Sequence, residues 1–205
     1  LDLFIKNLKS WAAPKRVSGS LLNFPSKDYI LYEPYGKVLM ISPWNYPFQL
    51  ALIPLIGAVA TGNTVVLKPS ESAPYTTKVI AELLSEIFPK NWVQVIEGDA
   101  EIAQALLKLQ WDYIFFTGST TVGKIIAKSA AIHLTPLTLE LGGKSPCIVD
   151  GSTNIEKTAR RIIFGKFINC GQTCIAPDYI LVKQEIKQSL IDALIKEIEK
   201  AFGQD

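Results

Sequence analysis

The sequence predicts an α/β protein built on a doubly wound parallel sheet, and three observations support this prediction. Short apolar runs alternate with helical stretches between residues 38 and 149, and glycines and prolines punctuate them. Strands that alternate with helices need crossover connections, which make the strands parallel. The mean hydropathy of +0.22 agrees with strands that are buried on both faces. A surface meant to meet something outside this chain would also explain the apolar excess, and both explanations stay open.

Hydrophobic spacing and the residues that end each run predict the individual elements. Leu1, Phe4 and Leu8 share one helical face, which predicts an amphipathic N-terminal helix. The polar, turn-rich residues 15–33 contain a YILY stretch that predicts an exposed strand arm. Strands are predicted at residues 38–42, 64–67, 92–96, 113–116, 147–149 and 175–182. Helices are predicted at residues 48–60, 76–88, 100–108, 121–129, 155–167 and 184–202.

Composition and charge exclude several classes of protein. The 21 Lys and Arg residues nearly balance the 19 Asp and Glu residues, and a net charge of +2 excludes a polyelectrolyte that binds nucleic acid or a membrane surface. The longest apolar stretch, residues 50–60, is shorter than the about 20 residues that span a bilayer, so we expect no membrane segment in this chain. The single histidine, His133, excludes a multi-histidine metal site and is expected to be structural.

The cysteines indicate a cellular compartment. Cys147, Cys170 and Cys174 are an odd number in a chain too large to need disulfides, which predicts a reducing, cytoplasmic setting. Cys170 and Cys174 lack the paired C-x-x-C spacing of a zinc site, so no metal is expected.

Candidate site residues follow the strands, because ligands of doubly wound sheets lie beyond the carboxyl ends of the strands. After the first strand, two prolines bracket Asn45, which is either a rigid oxyanion donor or the cap of the next helix. After the second strand, Lys68 and Glu71 suit a ribose, since a carboxylate accepts from both sugar hydroxyls. A solvated helix start capped by Ser70 or Ser72 is the alternative.

A third loop, after the strand at residues 113–116, predicts phosphate binding. Gly118 permits close approach of the backbone, and Ser119 begins a run of small hydroxyl residues at a helix N-terminus. The glycines do not follow G-x-G-x-x-G. Residues 118–124 match the P-loop spacing, but Ile125 replaces the hydroxyl residue that binds Mg²⁺, which excludes an NTPase.

Two further residues are candidates for bond-making chemistry. Glu140 lies between two leucines before a glycine pair, and we expect it to be partly buried in an unusual turn and to act as a general base. The alternative is a structural glutamate paired with Lys144. Cys174 lies in a polar turn and is the strong nucleophile that this sequence offers, with a buried inert thiol as the alternative. Cys170 is interpreted as a packing residue or an accessory thiol.

Five motifs in this order, PWNYPF, KPSE, FTGSTTVG, LELGGKSP and GQTC, resemble the signature blocks of the NAD(P)-dependent aldehyde dehydrogenase superfamily. The form GQTCIAPDY is similar to the class-three or fatty-aldehyde subgroup. The resemblance implies that Cys174 is the nucleophile, Glu140 the base, and Asn45 the oxyanion donor together with the Cys174 backbone N–H. It also implies a cofactor site of NAD or NADP. The residues implied at that site are Trp44, Lys68, Glu71, Gly118, Ser119 and Gly123, with Gly123 continuing the turn.

The resemblance implies a domain order and a reaction. Residues 1–34 form an N-terminal helix and exposed arm, residues 35–143 a Rossmann-like dinucleotide-binding domain, and residues 144–205 the first part of an α/β catalytic domain. The family's catalytic domain continues well beyond the nucleophile, so the chain is expected to be truncated at both ends. The Cys174 thiolate attacks an aldehyde, hydride passes to NAD or NADP, and water activated by Glu140 hydrolyses the thioester to a carboxylic acid.

Two other functions stay open, and so do the details of the parent protein. One is a truncated, non-catalytic dinucleotide-binding relative, and the other is a cysteine esterase that uses the same thiol without a nicotinamide. The substrate is a small-molecule aldehyde of unspecified structure, and the full-length protein is expected to be a cytoplasmic homodimer. Glu71 disfavours a 2′-phosphate by like charge and Lys68 offsets this, which leaves both NAD and NADP open.

Overall fold

The computed structural model describes residues 1–203, which form two compact units. The first unit spans Leu1–Glu140, and the second begins at Leu141. Each unit has its own hydrophobic core. The sequence places the domain boundary at Gly143, close to this division. The assignment of the two units as a dinucleotide-binding domain and part of a catalytic domain stays a prediction.

Residues 1–203 contain seven α-helices and nine β-strands. The helices are α1 (Asp2–Trp11), α2 (Gln49–Ala60), α3 (Pro74–Ile87), α4 (Ala100–Leu107), α5 (Thr120–Ile132), α6 (Ile155–Phe167) and α7 (Lys187–Phe202). The strands are β1 (Lys15–Val17), β2 (Asp28–Ile30), β3 (Lys37–Ile41), β4 (Thr64–Lys68), β5 (Val93–Val95), β6 (Tyr113–Gly118), β7 (Leu137–Leu141), β8 (Ser145–Val149) and β9 (Pro177–Val182). Among these helices, none has the length and apolar character needed to cross a membrane.

A five-stranded sheet with the order β5-β4-β3-β6-β7 organises the first unit. β3 pairs in parallel with β4 on one side and with β6 on the other, and β4 pairs in parallel with β5. The chain therefore builds outward from β3 to β5 and then returns to the opposite side of β3 through β6. This confirms the predicted doubly wound α/β fold, and its switch point lies between β3 and β6.

The central strand β3 is buried on both faces, which explains its unbroken apolar sequence. Val38 and Met40 pack in one cluster with β4, α2 and α3, while Leu39 and Ile41 point to the opposite face because side chains alternate along a strand. All four side chains are buried. The composition therefore reflects, in part, a sheet that is covered on both faces, as the sequence predicts.

The N-terminal arm forms as predicted, and one strand of the sheet was missed. α1 is followed by β1 and β2, which pair as an antiparallel ribbon with Arg16 opposite Tyr29. Most predicted helices and strands agree with the structure within three residues, and α6 has the predicted bounds. The strand at Leu137–Leu141 was not predicted, because the sequence around Glu140 was interpreted as a turn that carries a catalytic carboxylate.

The second unit consists of a two-stranded parallel sheet, β8 and β9, covered by α6 and α7. Its core contains Val149, Ala159, Ile162 and Leu190. The Asn154 side chain accepts a hydrogen bond of 2.8 Å from the Lys157 N–H and so caps α6. The cap and the apolar face together explain why this helix was predicted so closely.

Large apolar side chains also remain at the surface of both units. Leu21, Leu22 and Phe24 between β1 and β2 are almost fully exposed, and so to a lesser degree are Ile148 and Phe164 in the second unit. Both explanations of the apolar composition therefore have a structural counterpart, buried strands on the one hand and exposed apolar side chains on the other.

Two neighbouring residues of α3 test the position of the core. Ile80 is 0% exposed and Val79 is 55% exposed. Replacing Ile80 by Ala is expected to lower the free energy of unfolding by about 2–5 kcal/mol, because the truncation leaves a cavity between α3 and the sheet. Val79→Ala is the matched control and is expected to change it by less than about 0.5 kcal/mol.

Urea unfolding followed by tryptophan fluorescence measures this difference. The four tryptophans, Trp11, Trp44, Trp92 and Trp111, all belong to the first unit, so the signal reports that unit alone. Equal effects of the two substitutions would contradict the packing of α3 described above.

Candidate functional site

The carboxyl ends of β3, β4 and β6 form a cleft of about 310 Å³, which we term the strand-end cleft. Its position beside the switch point is where ligands bind in doubly wound sheets. The structure brings together here six residues in or beside the three loop motifs. These six are Ser42, which directly precedes the PWNYPF motif, and the motif residues Trp44, Lys68, Glu71, Gly118 and Ser119, and other residues of the same motifs line the cleft with them.

Lys68 and Glu71 form the charged pair of the cleft. Lys68 ends β4 with only 4% of its side chain exposed, and its Nζ lies 2.6 Å from the Glu71 Oε2, whose side chain is 49% exposed. The hydrogen bond from Lys68 holds the pKa of Glu71 below its usual value, with a smaller contribution from a backbone N–H. The carboxylate therefore stays ionised and half-exposed at the mouth of the cleft, as a ribose site requires.

The alternative interpretation of this segment as a capped helix start does not hold. Ala73 occupies the N-cap position of α3 and makes no side-chain cap. The Ser70 Oγ instead accepts a hydrogen bond from the Ser72 N–H within the loop. The loop after β4 is therefore shaped by its own hydrogen bonds, and Pro74 begins the helix.

Ser42 was not singled out from the sequence, yet it holds a central place in the cleft. Its N–H donates to the Lys68 carbonyl oxygen (3.1 Å), which extends the pairing of β3 and β4 by one residue. The residue is 5% exposed. Its Oγ is buried and has no hydrogen-bond partner among the described residues. In the sequence, Ser42 is the last residue of the strand predicted at residues 38–42, and in the structure that strand ends one residue earlier.

Gly118 leaves space where any side chain would collide. A Cβ built on Gly118 would collide with the Cζ of Phe116, a buried ring of β6 that also lines the cleft. The absence of a side chain at Gly118 thus makes room for the Phe116 ring, and the predicted close approach of this backbone to a phosphate stays a prediction. Ser119 follows as the N-cap of α5, and its Oγ accepts a hydrogen bond of 3.3 Å from the Val122 N–H.

The expectation that Gly123 continues this turn is wrong. Gly123 is buried inside α5, and its N–H donates to the Ser119 carbonyl oxygen (2.9 Å) as part of the helix. The helix begins at Thr120, so the turn closes three residues earlier than the glycine spacing suggests. Gly123 is a packing position in α5 and does not line the strand-end cleft.

The loop after β3 carries Trp44 and Asn45. Trp44 is half-exposed and lines the strand-end cleft, and Asn45 is partly buried. Phe48, and not Asn45, occupies the N-cap position of α2, and the Phe48 side chain makes no cap hydrogen bond.

Glu140 differs from the expectation. It belongs to β7 rather than to a turn, and its side chain is exposed rather than partly buried. β7 lies at the edge of the five-stranded sheet, which explains why a carboxylate between two leucines stays at the surface. The alternative of an ion pair with Lys144 is also wrong, since the Lys144 Nζ lies 3.1 Å from the Asp178 Oδ2.

Cys174 lies in a turn of the second unit, and its side chain is exposed. The alternative of a buried inert thiol is therefore wrong. Cys170 is exposed as well, so it is not a packing residue. The backbone before Cys174 is unusual, because Asn169, Cys170 and Gly171 all adopt positive φ angles, which turn the chain sharply after α6.

A glycine of the LELGGKSP motif lies against this turn. A Cβ built on Gly143 would be 3.4 Å from the Cys174 carbonyl oxygen. The ion pair between Lys144 and Asp178 joins the same two segments of the second unit. The Gly143–Lys144 segment therefore supports the backbone that carries the Cys174 thiol. Asp178 was not predicted, since nothing in the sequence marks it as the partner of Lys144.

Two other features are outside these motifs. His133 is the C-cap residue of α5 and is exposed at the surface. A larger groove of about 770 Å³ runs beside α1 and the β2–β3 connection, and Phe4, Trp11 and Tyr35 line it. None of the predicted site residues lines this groove, although its volume exceeds that of the strand-end cleft.

Comparison with known sequences identifies the family. A model of the aldehyde dehydrogenase family matches residues 5–204. The 4,4′-diaponeurosporen-aldehyde dehydrogenase of Staphylococcus aureus is 54% identical over 200 residues, which are 98% of this chain and 44% of that protein. Aldehyde dehydrogenase family 3 member H1 of Arabidopsis thaliana is 48% identical over 206 residues, 100% of this chain and 43% of that protein.

Solved structures agree. A substrate-bound AldH of Staphylococcus aureus matches with a TM-score of 0.96 at 52% identity, covering 100% of this chain and 44% of that one. A Mycobacterium tuberculosis aldehyde dehydrogenase complexed with NAD⁺ matches with a TM-score of 0.88 at 30% identity, covering 96% of this chain and 40% of that one. The chain thus spans less than half the length of these relatives. With a family model that matches nearly all its residues, the chain belongs to the aldehyde dehydrogenase family.

Proposed function

We propose that this chain supplies the cofactor site and the nucleophile of an NAD(P)-dependent enzyme that oxidises an aldehyde to a carboxylic acid. The observation that carries the proposal is the strand-end cleft, where three of the five motifs meet beside the Lys68–Glu71 pair. The relatives named above are aldehyde dehydrogenases, and one structural relative holds NAD⁺. We further propose residues 35–143 as the dinucleotide-binding domain and residues 144–205 as part of the catalytic domain.

The residues of the strand-end cleft fit a dinucleotide. An ionised Glu71 carboxylate accepts hydrogen bonds from ribose hydroxyls, and the buried Lys68 fixes its position. The backbone N–H groups at the start of α5, beside Gly118 and Ser119 in the lining of the cleft, favour a negatively charged ligand such as a pyrophosphate. Trp44 adds a half-exposed indole to the wall of the cleft.

The reaction is proposed to use a residue of this chain at each step. The exposed Cys174 thiolate attacks the carbonyl carbon of the aldehyde. The Asn45 side-chain amide and the Cys174 backbone N–H donate hydrogen bonds to the oxyanion that forms. The dinucleotide, when bound, supplies a hydride acceptor. Glu140, whose carboxylate is exposed to water, then removes a proton from the water that hydrolyses the Cys174 thioester.

The cofactor, the cellular compartment and the oligomeric state are proposed in more general terms. Both NAD and NADP are retained, since Glu71 opposes a 2′-phosphate and Lys68 attracts it. The three cysteines are free thiols, which favours a reducing, cytoplasmic setting. A homodimer of the full-length protein is proposed from the family resemblance alone.

Cys174 is expected to be essential for turnover. In the protein that carries this chain, Cys174→Ala should abolish aldehyde-dependent formation of NADH or NADPH, because no other group replaces the attacking thiolate. Cys170→Ala is the matched control, since Cys170 is an exposed thiol of the same segment, and this variant should retain activity. Absorbance of the reduced nicotinamide measures both. Appreciable turnover by the Cys174 variant would overturn the proposed nucleophile.

Neither alternative function forms NADH or NADPH, so an ester-hydrolysis assay and a dinucleotide-binding assay are needed to tell them apart. A cysteine esterase would hydrolyse activated esters at the Cys174 thiol without binding a dinucleotide. A non-catalytic relative would bind the dinucleotide without oxidising any aldehyde.

Asn45 is expected to act in the transition state rather than in cofactor binding. Asn45→Ala should lower kcat by about 10²–10³-fold, the usual effect of removing one oxyanion donor, and leave the Kd of the dinucleotide nearly unchanged. Gln49→Ala, which removes an exposed amide at the start of α2, is the matched control and should change neither constant. Equal losses in kcat and in dinucleotide affinity would instead support a structural role for Asn45.

The Lys68–Glu71 pair predicts a pH dependence of stability. The pKa of Glu71 is lower in the folded chain than its ordinary value of 4.5, so its contribution is fully present above that pH. As the pH falls below 4.5 and through the lowered pKa, Glu71 takes up a proton and the contribution is lost. Wild type should therefore be more stable than Glu71→Gln at neutral pH, and the two should converge in acid.

The measurement is the urea midpoint of tryptophan fluorescence at a series of pH values. Glu82→Gln is the matched control, because the exposed Lys78–Glu82 pair has a separation of 4.0 Å and adds little stability. A difference between wild type and Glu71→Gln that is absent at neutral pH, or that grows as the pH falls, would contradict the paired state of Glu71.

A further inference from the structure

Ser42 is an exception among the buried polar residues. Six polar or charged residues between Leu1 and Gly203 are buried, namely Ser42, Asn63, Lys68, Ser70, Thr77 and Thr135. The other five all use their side chains in hydrogen bonds. The Ser42 Oγ alone is buried in this part of the chain without a partner. An unpaired buried hydroxyl costs free energy, so each such group in a native protein calls for an explanation.

The position of Ser42 supplies one. Ser42 lines the strand-end cleft directly after β3, and its N–H is bonded to the carbonyl oxygen of Lys68. The backbone of Ser42 is therefore fixed beside Lys68, the cation of the ion pair. Rotation about one bond, between Cα and Cβ, moves a serine hydroxyl among three staggered positions. None of the described residues uses the hydrogen-bonding capacity of the Ser42 hydroxyl, and rotation from the buried position is the movement that would turn the hydroxyl towards a molecule in the cleft.

Ser42 differs in hydrogen bonding from the charged pair, and two other serines that line the cleft, Ser70 and Ser119, already accept hydrogen bonds from backbone N–H groups. Lys68 only donates hydrogen bonds, and an ionised Glu71 only accepts them. A serine hydroxyl does both, which matches a ribose hydroxyl, itself a donor and an acceptor. We propose that the Ser42 hydroxyl is a ligand of the adenosine ribose of the bound dinucleotide, completing a set of three side chains with Lys68 and Glu71. This inference rests on the proposed function, since it assigns one more residue to the same cofactor.

Isothermal titration of the 205-residue chain tests the assignment without measuring activity. NAD and its 2′-deoxy- and 3′-deoxyadenosine analogues are titrated into wild type and into Ser42→Ala. We expect Ser42→Ala to weaken NAD binding by roughly 3- to 10-fold, the usual value of one hydrogen bond. The difference between wild type and variant should vanish with the analogue that lacks the hydroxyl contacted by Ser42.

Thermal unfolding without ligand supplies a second readout. Ser42→Ala removes an unpaired hydroxyl, so its Tm should equal or exceed that of wild type. Thr135→Val is the matched control, because it removes a buried hydroxyl that donates to the Trp111 carbonyl oxygen (2.9 Å). That variant should lose stability and keep its NAD affinity. Ser42→Cys keeps the branching of the side chain, with a slightly larger and weaker hydrogen-bonding group, and should repeat the loss of affinity if the Ala variant does not fold.

Each outcome decides a different claim. A wild-type chain that binds no NAD overturns the proposed cofactor site, and the role of Ser42 with it. Binding by wild type that Ser42→Ala and Ser42→Cys leave unchanged overturns the role of Ser42 alone. A loss of affinity that persists with both deoxy analogues excludes the ribose as the partner. A lower Tm of ligand-free Ser42→Ala would show that the hydroxyl is bonded within the protein, for example to a buried water, and would also overturn the inference.

Discussion

The shared register of β3, β4 and β6 is the constraint on which the rest of the first unit depends. Ile41 lies opposite Lys68 on one side and opposite Phe116 on the other. The residues that follow these positions therefore emerge at one edge of the sheet, although 27 residues separate Ile41 from Lys68 and 75 separate it from Phe116. A slip of one residue would exchange the two faces of a strand and separate its buried side chains from the neighbours they pack against, so the core enforces the register that builds the cleft.

Burial of the Lys68 side chain in the same sheet requires a negatively charged partner, which lies in the cleft. An ammonium as buried as that of Lys68 needs a counter-ion, because a lone charge out of water is costly. Glu71, three residues later, provides it and remains half-exposed. One interaction thus satisfies Lys68 and holds a half-exposed carboxylate in the wall of the strand-end cleft. In the second unit, Asn169, Cys170 and Gly171 form a tight turn with positive φ angles, and the Cys174 thiol that follows it is exposed.

Most of the fold followed from the sequence, and the exceptions have physical causes. Alternating apolar runs and turn residues predicted the order of strands and helices, and a good cap with an amphipathic face fixed α6 closely. Glu140 was misplaced because a glutamate between leucines fits both a buried site and an edge strand, and only the strand order distinguishes them. Gly123 was misplaced because Ser119 caps the helix before the second glycine is reached. Ser42 escaped because an unsatisfied hydroxyl is a property of three-dimensional packing.

Hydrogen–deuterium exchange of the chain with and without NAD tests the location of the cofactor most directly. Backbone amides around Ser42, Lys68–Glu71 and Gly118–Ser119 should exchange more slowly when NAD is present, because the dinucleotide covers the strand-end cleft. The larger groove lined by Phe4, Trp11 and Tyr35 should be unaffected. Protection confined to that groove, or no protection at the carboxyl ends of β3, β4 and β6, would contradict the cofactor site proposed for this member of the aldehyde dehydrogenase family.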